Sequence, residues 1–382
     1  RQLLLTVAMG MGAAAPFLPK LRCAFFALFI GGCGRCMFSV LRPAVRTWLN
    51  DRHQQDIARR VAERERRQRK WKDAALMTAG KPSPVFATSP PRFAPEDPEL
   101  LDFLRTKGYV VVKDVASAEE VARGKALLWR FLEDTTNMRC NMPETWKDGN
   151  FRSVGDPTNG ILSGNGFGHS EFCWFIRTLP RVRRTFESIW RRKTLIVSFD
   201  GGNIFRPWHR PHATRERTMG GWWHCDQGRC KRGMHAVQGL VTLFDVSATT
   251  GGLCVVPGSH LQHEDLMSYT ITSPDGMDFV AVPEPALNPA LRGGVLVTCR
   301  SGDMILWDSR TLHCNTPALE VPTIEAGHRE DELLRAVAYV CMTPRKWASR
   351  AVLRHRRRAA IVGMGTTHWP HEFHPIGSPS DL

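Results

Sequence analysis

The residues best placed to do chemistry are His224 and Asp226, in Gly221-Trp222-Trp223-His224-Cys225-Asp226, and His313, in Trp307-Asp308-Ser309-Arg310-Thr311-Leu312-His313. Two neutral imidazoles and one ionised carboxylate can hold a non-haem Fe(II) on one face and leave three coordination positions open. In an extended strand side chains alternate faces, so residues at i and i+2 point at the same spot, and His224 and Asp226 can grip one ion together. The third candidate lies 87 residues after Asp226. A chain closes that distance by returning a later strand beside the first, so the spacing predicts a sheet-built pocket.

A His-x-Asp pair arises often by chance, and its surroundings give it weight. Thr250-Gly251-Gly252-Leu253-Cys254-Val255-Val256-Pro257-Gly258-Ser259-His260 reads as a turn, a short apolar strand and a Pro-Gly turn. Ser301-Gly302-Asp303-Met304-Ile305-Leu306-Trp307-Asp308 gives a second turn and strand that lead directly to His313. With the opening Leu101-Asp102-Phe103-Leu104-Arg105-Thr106-Lys107-Gly108-Tyr109-Val110-Val111-Val112, these stretches make the sequence from Pro95 to Pro344 resemble the phytanoyl-CoA dioxygenase family. The ordered triad together with the Gly-Gly-Leu-x-Val-Val-Pro-Gly-Ser-His stretch is the specific part.

That resemblance implies Fe(II) on His224, Asp226 and His313, 2-oxoglutarate as cosubstrate and O2 as oxidant. The implied reaction hydroxylates a small organic or lipid-like substrate and releases succinate and CO2. The distal carboxylate of 2-oxoglutarate calls for a bidentate cation, for which Arg suits better than Lys. The candidate is Arg335, opening the run Arg335-Ala-Val-Ala-Tyr339, with Arg345 as its rival. In the family this arginine follows the second histidine more closely, and the polar insert from Glu320 to Glu332 accounts for the longer spacing here. A small polar residue just past that histidine matches Asn315. Trp222, Gln238, Asn203 and Arg206 are polar or aromatic residues set where they could line a substrate pocket, although core packing and loop hydrogen bonds are the plainer roles. His209, His212, His235, His260 and His263 form no second triad, and His260 reads as structural. Two rivals remain: a halogenase, which Asp226 disfavours because halide needs the carboxylate's place, and a non-catalytic jelly-roll binding protein.

The elements that must position these residues are mostly strands. Apolar segments at Tyr109–Val112, Leu195–Phe199, Ala236–Val246, Gly252–Val256, Gly294–Thr298, Asp303–Trp307 and Leu333–Cys341, separated by Gly and Pro turns, predict a sandwich or barrel. Helical periodicity marks Glu99–Lys107, Ser117–Asp134 and a cover from Trp174 to Trp190. The expected fold is mainly β with flanking helices, its core a jelly-roll, also called the double-stranded β-helix and cupin-like.

Charge separates the ends from the middle. Residues 1–80 carry 15 Lys/Arg against 5 Asp/Glu and residues 342–382 carry 7 against 2, leaving 30 against 30 between them. A neutral centre disfavours a basic nucleic-acid groove, and no specific nucleic-acid binding is expected. Residues 1–50 hold no acid and two apolar runs, which suits an organelle transit peptide or a membrane anchor. A mitochondrial, plastid or membrane-associated location is therefore expected over plain cytoplasm, with membrane contact through residues 1–50. The chain begins at Arg1, which leaves room for an upstream portion. Its end, Ser380-Asp381-Leu382, is not the Ser-Lys-Leu peroxisomal address. Residues 51–80 form a basic charged helix or arm, 81–98 with six prolines a stiff linker, 99–344 the oxygenase domain and 345–382 a basic extension. Eleven cysteines without regular spacing predict free thiols, and Cys33-x-x-Cys36 has no partner pair at finger spacing.

Overall fold

Strands buried on both faces need apolar side chains on both, and the central strands of this chain are built that way. In the computed structural model, residues 85–208, 218–269, 278–282, 294–322, 329 and 331–376 are described. The chain divides into two compact units, residues 1–70 and 71–382, and every described residue falls in the second. The elements in chain order are β1 (Phe86–Thr88), β2 (Arg92–Phe93), α1 (Pro98–Lys107), β3 (Tyr109–Val112), α2 (Ala118–Thr135), α3 (Asp148–Phe151), β4 (Ile161–Leu162), α4 (Glu171–Thr178), α5 (Pro180–Trp190), β5 (Leu195–Val197) and β6 (Gly202–Phe205). They continue with β7 (His224–Cys225), β8 (Val237–Thr242), β9 (Gly252–Val255), α6 (His263–Tyr269), β10 (Val280–Ala281), β11 (Val295–Val297), β12 (Met304–Asp308), β13 (His313–Thr316), β14 (Arg335–Pro344) and α7 (Arg350–Ile361).

Two sheets result. One has the order β1-β11-β9-β13-β7-β10; the other has β2-β3-β12-β8-β14-β6-β4, with β5 paired to β14. Along β3, β12 and β14 the side chains alternate between two cores. Val110, Val112, Met304, Leu306, Ala336, Ala338 and Val340 pack with α2, α4 and α5, while Tyr109, Val111, Ile305, Trp307 and Val337 pack with Leu253, Val255 and Leu296 of the other sheet. This is the expected jelly-roll with a helical cover. Each fully buried Leu or Val contributes roughly 1.5–3 kcal/mol by leaving water.

Local signals set the helix ends. Asp97 caps α1 through the Glu99 amide with Pro98 at the first position, and Gly108 ends it at φ 78°. Ser117 and Glu120 form a reciprocal capping box at α2. The single cover expected from Trp174 to Trp190 is two helices, α4 and α5, because Pro180 lacks the amide that a continuous helix needs.

Two expectations are corrected. Residues 81–98, read as a stiff linker, contain β1, which pairs in parallel with β11, and β2, which pairs in parallel with β3. Both are edge strands, the one place in a sheet where flanking prolines such as Pro90 and Pro91 are tolerated. The segment from residue 345, read as a basic extension, packs back on the domain through part of its length, while Arg350, Arg354, Arg357 and Arg358 are exposed. Arg356 of α7 is buried and donates to the Val197 carbonyl with its guanidinium 4.4 Å over Phe199. Farther on, the Thr366 amide donates to Phe199 O at 3.0 Å, and Trp369 is fully buried against Ala236 and Cys341. Residues 1–50, 51–80, Cys33, Cys36, His209 and His212 lie outside the described residues. The eight cysteines among the described residues are free thiols, and no helix among them is long and apolar enough to cross a membrane.

Candidate metal centre

The pairing of β7 with β13 brings the separated motifs together: His313 stands directly opposite His224 in the antiparallel ladder. Their ring centroids are 4.2 Å apart. Asp226, just past β7, lies with Oδ1 3.6 Å from His224 Nε2 and Oδ2 3.1 Å from His313 Nε2. All three side chains are buried, and their ligand atoms lie within 4.8 Å of one another.

The outer nitrogens are already committed. His224 Nδ1 meets the Trp222 carbonyl at 3.1 Å and His313 Nδ1 meets the Thr311 carbonyl at 2.8 Å. A carbonyl only accepts, so each Nδ1 carries the proton and each Nε2 turns a lone pair inward, as a metal ligand must. Burial, then the neighbouring His313, pushes His224 down to about 3, so it is neutral at physiological pH. For Asp226 burial acts upward, but the imidazoles of His368, His224 and His313 outweigh it and hold the carboxyl below the usual range. Two imidazoles that turn Nε2 inward and an ionised carboxylate are the donor set that Fe(II) takes.

Several scaffold contacts fix this geometry. Gln238 Nε2 donates to Asp226 Oδ2 at 2.5 Å. Trp222 stacks on His224 with an interplanar angle of 11°, while Phe279 and Trp307 flank the imidazoles. Gln227, fully buried, donates to the Lys231 and Gly233 carbonyls and accepts from Ser309, which ties the loop after Asp226 to the turn before His313. Thr311, whose carbonyl orients His313, donates its hydroxyl to Gly108 O. A Cβ on Gly108 would sit 2.6 Å from that hydroxyl, and its φ of 78° belongs to glycine.

Two residues along β13 from His313, Asn315 Oδ1 accepts from Arg335 Nη1 at 3.3 Å, and Asn203 Oδ1 accepts from the same nitrogen at 2.6 Å. Arg335 is 1% exposed and lies 4.9 Å over the Phe205 ring. Its Nε is buried and unpartnered, as is Asn315 Nδ2, and no carboxylate pairs with the guanidinium among the described residues. An arginine buried without its counter-anion is costly, and it fits the distal carboxylate of 2-oxoglutarate. Arg345, the rival, is exposed beyond the far end of β14.

The structure places the remaining candidates unevenly. Gln238 touches Asp226, Trp222 walls His224, and Asn203 clamps Arg335. Arg206 is spent on the Trp146 and Pro157 carbonyls and on Asp148, 2.7 Å away, so it braces a loop. His260 and His263 donate to the Arg105 and Gln227 carbonyls and are structural. Sequence reasoning missed His368, whose buried Nε2 has no partner and whose ring lies beside Trp369, centroid to centroid 4.7 Å. Nothing in the residues of that segment marks it, since its approach to Asp226 is made by the fold of the tail. A second cluster, Asp278, Glu372 and His374, already holds a cation: Lys231 Nζ is 2.5 Å from Asp278 and 2.9 Å from Glu372.

A double-stranded β-helix that converges two histidines and an aspartate beside a buried arginine defines the Fe(II)/2-oxoglutarate oxygenase class. The chain belongs to the phytanoyl-CoA dioxygenase (PhyH) family, whose model matches residues 104–317. Members of that family use Fe(II), 2-oxoglutarate and O2. The chain is similar to the Ava biosynthesis cluster protein O of Aspergillus versicolor, 26% identical over 218 residues that cover 54% of this chain and 66% of that one. Among solved structures it is similar to the carbocyclase SnoK from nogalamycin biosynthesis, with 17% identity and a TM-score of 0.45 over 66% of this chain and 86% of that one. It is also similar to the epimerase SnoN in complex with Fe3+, α-ketoglutarate and nogalamycin RO, with 20% identity and a TM-score of 0.43 over 64% and 82% of the two chains. A third is EctD from S. alaskensis with 2-oxoglutarate and 5-hydroxyectoine, with 18% identity and a TM-score of 0.43 over 68% and 80%.

Proposed function

We propose that the chain hydroxylates a small organic or lipid-like substrate in a 2-oxoglutarate-dependent reaction. One O2 is consumed: one oxygen atom enters succinate as 2-oxoglutarate loses CO2, and the other becomes the hydroxyl of the product. Bound iron would supply the site at which O2 is reduced. His224, Asp226 and His313 would hold it, with Gln238 fixing the carboxylate and the two backbone carbonyls fixing the ring tautomers. Arg335, presented by Asn203 and Asn315, would bind the distal carboxylate of the cosubstrate, and the half-buried rings of Trp222 and Phe279 with buried Trp307 would keep water from the reacting groups. The observation that carries this reading is Arg335, a fully buried guanidinium that lacks a carboxylate partner and lies beside a converged two-histidine, one-carboxylate set.

The test is to incubate the protein aerobically with Fe(II), ascorbate, 2-oxoglutarate and a metabolite extract, following succinate and any metabolite that gains one oxygen by mass spectrometry. The expected result is a product 16 Da heavier, formed with equimolar succinate and abolished by a His224→Ala, His313→Ala double variant. Succinate release that survives in the double variant would sink the assignment. A desaturated or cyclised product without added oxygen would replace hydroxylation with another oxidation at the same site.

A further inference from the structure

Beyond the catalytic centre, the outer side of β5 and α7 carries a concentration of cations that the reaction does not use. Arg191, Arg192 and Lys193, in the turn before β5, are all exposed. Because β5 runs antiparallel to the end of β14, with Leu195 opposite Pro344, that turn lies beside exposed Arg345 and Lys346, and the Arg345 amide donates to Thr194 O at 3.1 Å. Trp347 joins them, its ring 5.0 Å from Trp190 and its surface 40% exposed.

From there α7 continues the same face. Its inner side is fixed by Arg356, which reaches Val197 and Phe199 of the β5 segment. Its outer side presents Arg350, Arg354, Arg357, Arg358 and Ile361, at i, i+4, i+7, i+8 and i+11, one stripe of a helix. No acid occurs between residues 188 and 199 or between 345 and 371. Among the described residues none of these outward cations is in an ion pair. The face also has a groove of about 290 Å³ lined by Arg184, Glu187, Ser188, Arg191, Arg192 and Lys193.

So many unpaired cations on one side of a domain whose residues 81–341 are charge-neutral need an anionic partner to offset their repulsion. The geometry points to a docking face for an anionic phospholipid bilayer, with lipid phosphates in the groove and along the α7 stripe. Exposed Trp347, Ile361 and Val362, 40%, 76% and 47% accessible, stand at the two ends of the basic stripe. An aromatic ring and branched aliphatic side chains suit the headgroup and acyl boundary and have no role on a nucleic-acid backbone.

Vesicle sedimentation tests the assignment on the full chain, comparing phosphatidylcholine vesicles with phosphatidylcholine–phosphatidylserine vesicles. Each surface cation near an anionic leaflet adds about fivefold to partitioning. Reversing three, as Arg354→Glu, Arg357→Glu, Arg358→Glu or as Arg191→Glu, Arg192→Glu, Lys193→Glu, should lower binding to the anionic vesicles by well over about 100-fold, the loss that neutralising three alone would give. The corresponding Gln variants should show smaller losses in the same order, and circular dichroism and Fe(II) binding should be unchanged in all four. Binding to anionic vesicles that persists in both reversed chains overturns the proposal, as does equal binding to uncharged vesicles. Tighter, salt-sensitive retention of duplex DNA than of anionic vesicles at one ionic strength would assign the face to nucleic acid instead.

Discussion

Replacing Arg335 with lysine keeps the charge and most of the volume while removing the planar fork, and so isolates what the guanidinium does. In the structure Nη1 is occupied by Asn203 and Asn315, whereas Nε is buried with no partner. A dicarboxylate cosubstrate would give that side of the fork its acceptor and complete a two-bond contact. An ammonium can replace one of those bonds, so the loss is one hydrogen bond to a charged group, about 1.5–3 kcal/mol. The apparent Kd for 2-oxoglutarate should therefore rise by roughly 10- to 150-fold in Arg335→Lys. It should rise further in Arg335→Ala, which also strands the two asparagine oxygens and leaves a gap beside Phe205. Anaerobic calorimetry on the Mn(II)-loaded protein measures this directly, with Mn(II) affinity in the absence of 2-oxoglutarate as the control that should barely move. A folded Arg335→Ala variant that binds 2-oxoglutarate as the parent does, within threefold, refutes the reasoning. Exposed Arg345 offers no fallback, since ten residues of β14 put it about 30 Å along the strand.

Gln238→Met removes the 2.5 Å donor to Asp226 with little change of volume and should weaken Mn(II) binding by about 10- to 100-fold; unchanged affinity by calorimetry would show that Asp226 is oriented without it. Burial holds His371 down at about 4, so between that value and the unfolded one its ring takes up a proton more readily in the unfolded chain; burial lowers His260 and His263 in the same direction. The contribution of His371 is complete above the unfolded value near 6.5 and falls as the pH drops toward 4, by up to about 1.4 kcal/mol per unit. Glu372, held near 2 although burial acts upward, because His374 and Lys231 hydrogen-bond its carboxylate, contributes fully above the unfolded carboxylate range and loses that contribution only below it. Urea midpoints of the metal-free protein should therefore decline from pH 7 to pH 5, and a flat or rising series contradicts the assignment. Truncation to begin at residue 85 should preserve folding by circular dichroism, whereas beginning at residue 94 deletes β1 and β2 and should lower the melting temperature; equal temperatures would mean that the two edge strands contribute nothing. Lys231→Met leaves Asp278 and Glu372 facing each other without their shared cation and should speed hydrogen exchange in residues 365–376, an effect absent if Trp369 alone anchors that segment.

The sequence by itself picked out the His224, Asp226 and His313 cluster and the kind of architecture that gathers it. His224 and Asp226 are two apart on an extended segment, and side-chain alternation makes that a shared direction whatever the rest of the chain does. The strands at Tyr109–Val112, Gly252–Val255 and Met304–Asp308 were legible because short apolar runs between Gly and Pro turns have few other ways to fold. Arg335 was legible as a charge opening an apolar strand. The partners of these residues were decided by tertiary structure, because they depend on which strands become neighbours. Asn203 reaches Arg335 because β6 lies against β14, and Gln238 reaches Asp226 across the space between the two sheets. The prolines near residue 90 looked like a linker because local propensity does not register that an edge strand can tolerate them. The basic tail looked solvated because charge pattern along a helix does not reveal that one arginine, Arg356, turns inward to cap Val197, or that the chain beyond it returns to bury Trp369 and bring His368 toward Asp226. Periodicity along the chain encodes which way a side chain points, and only the closed fold supplies what it points at.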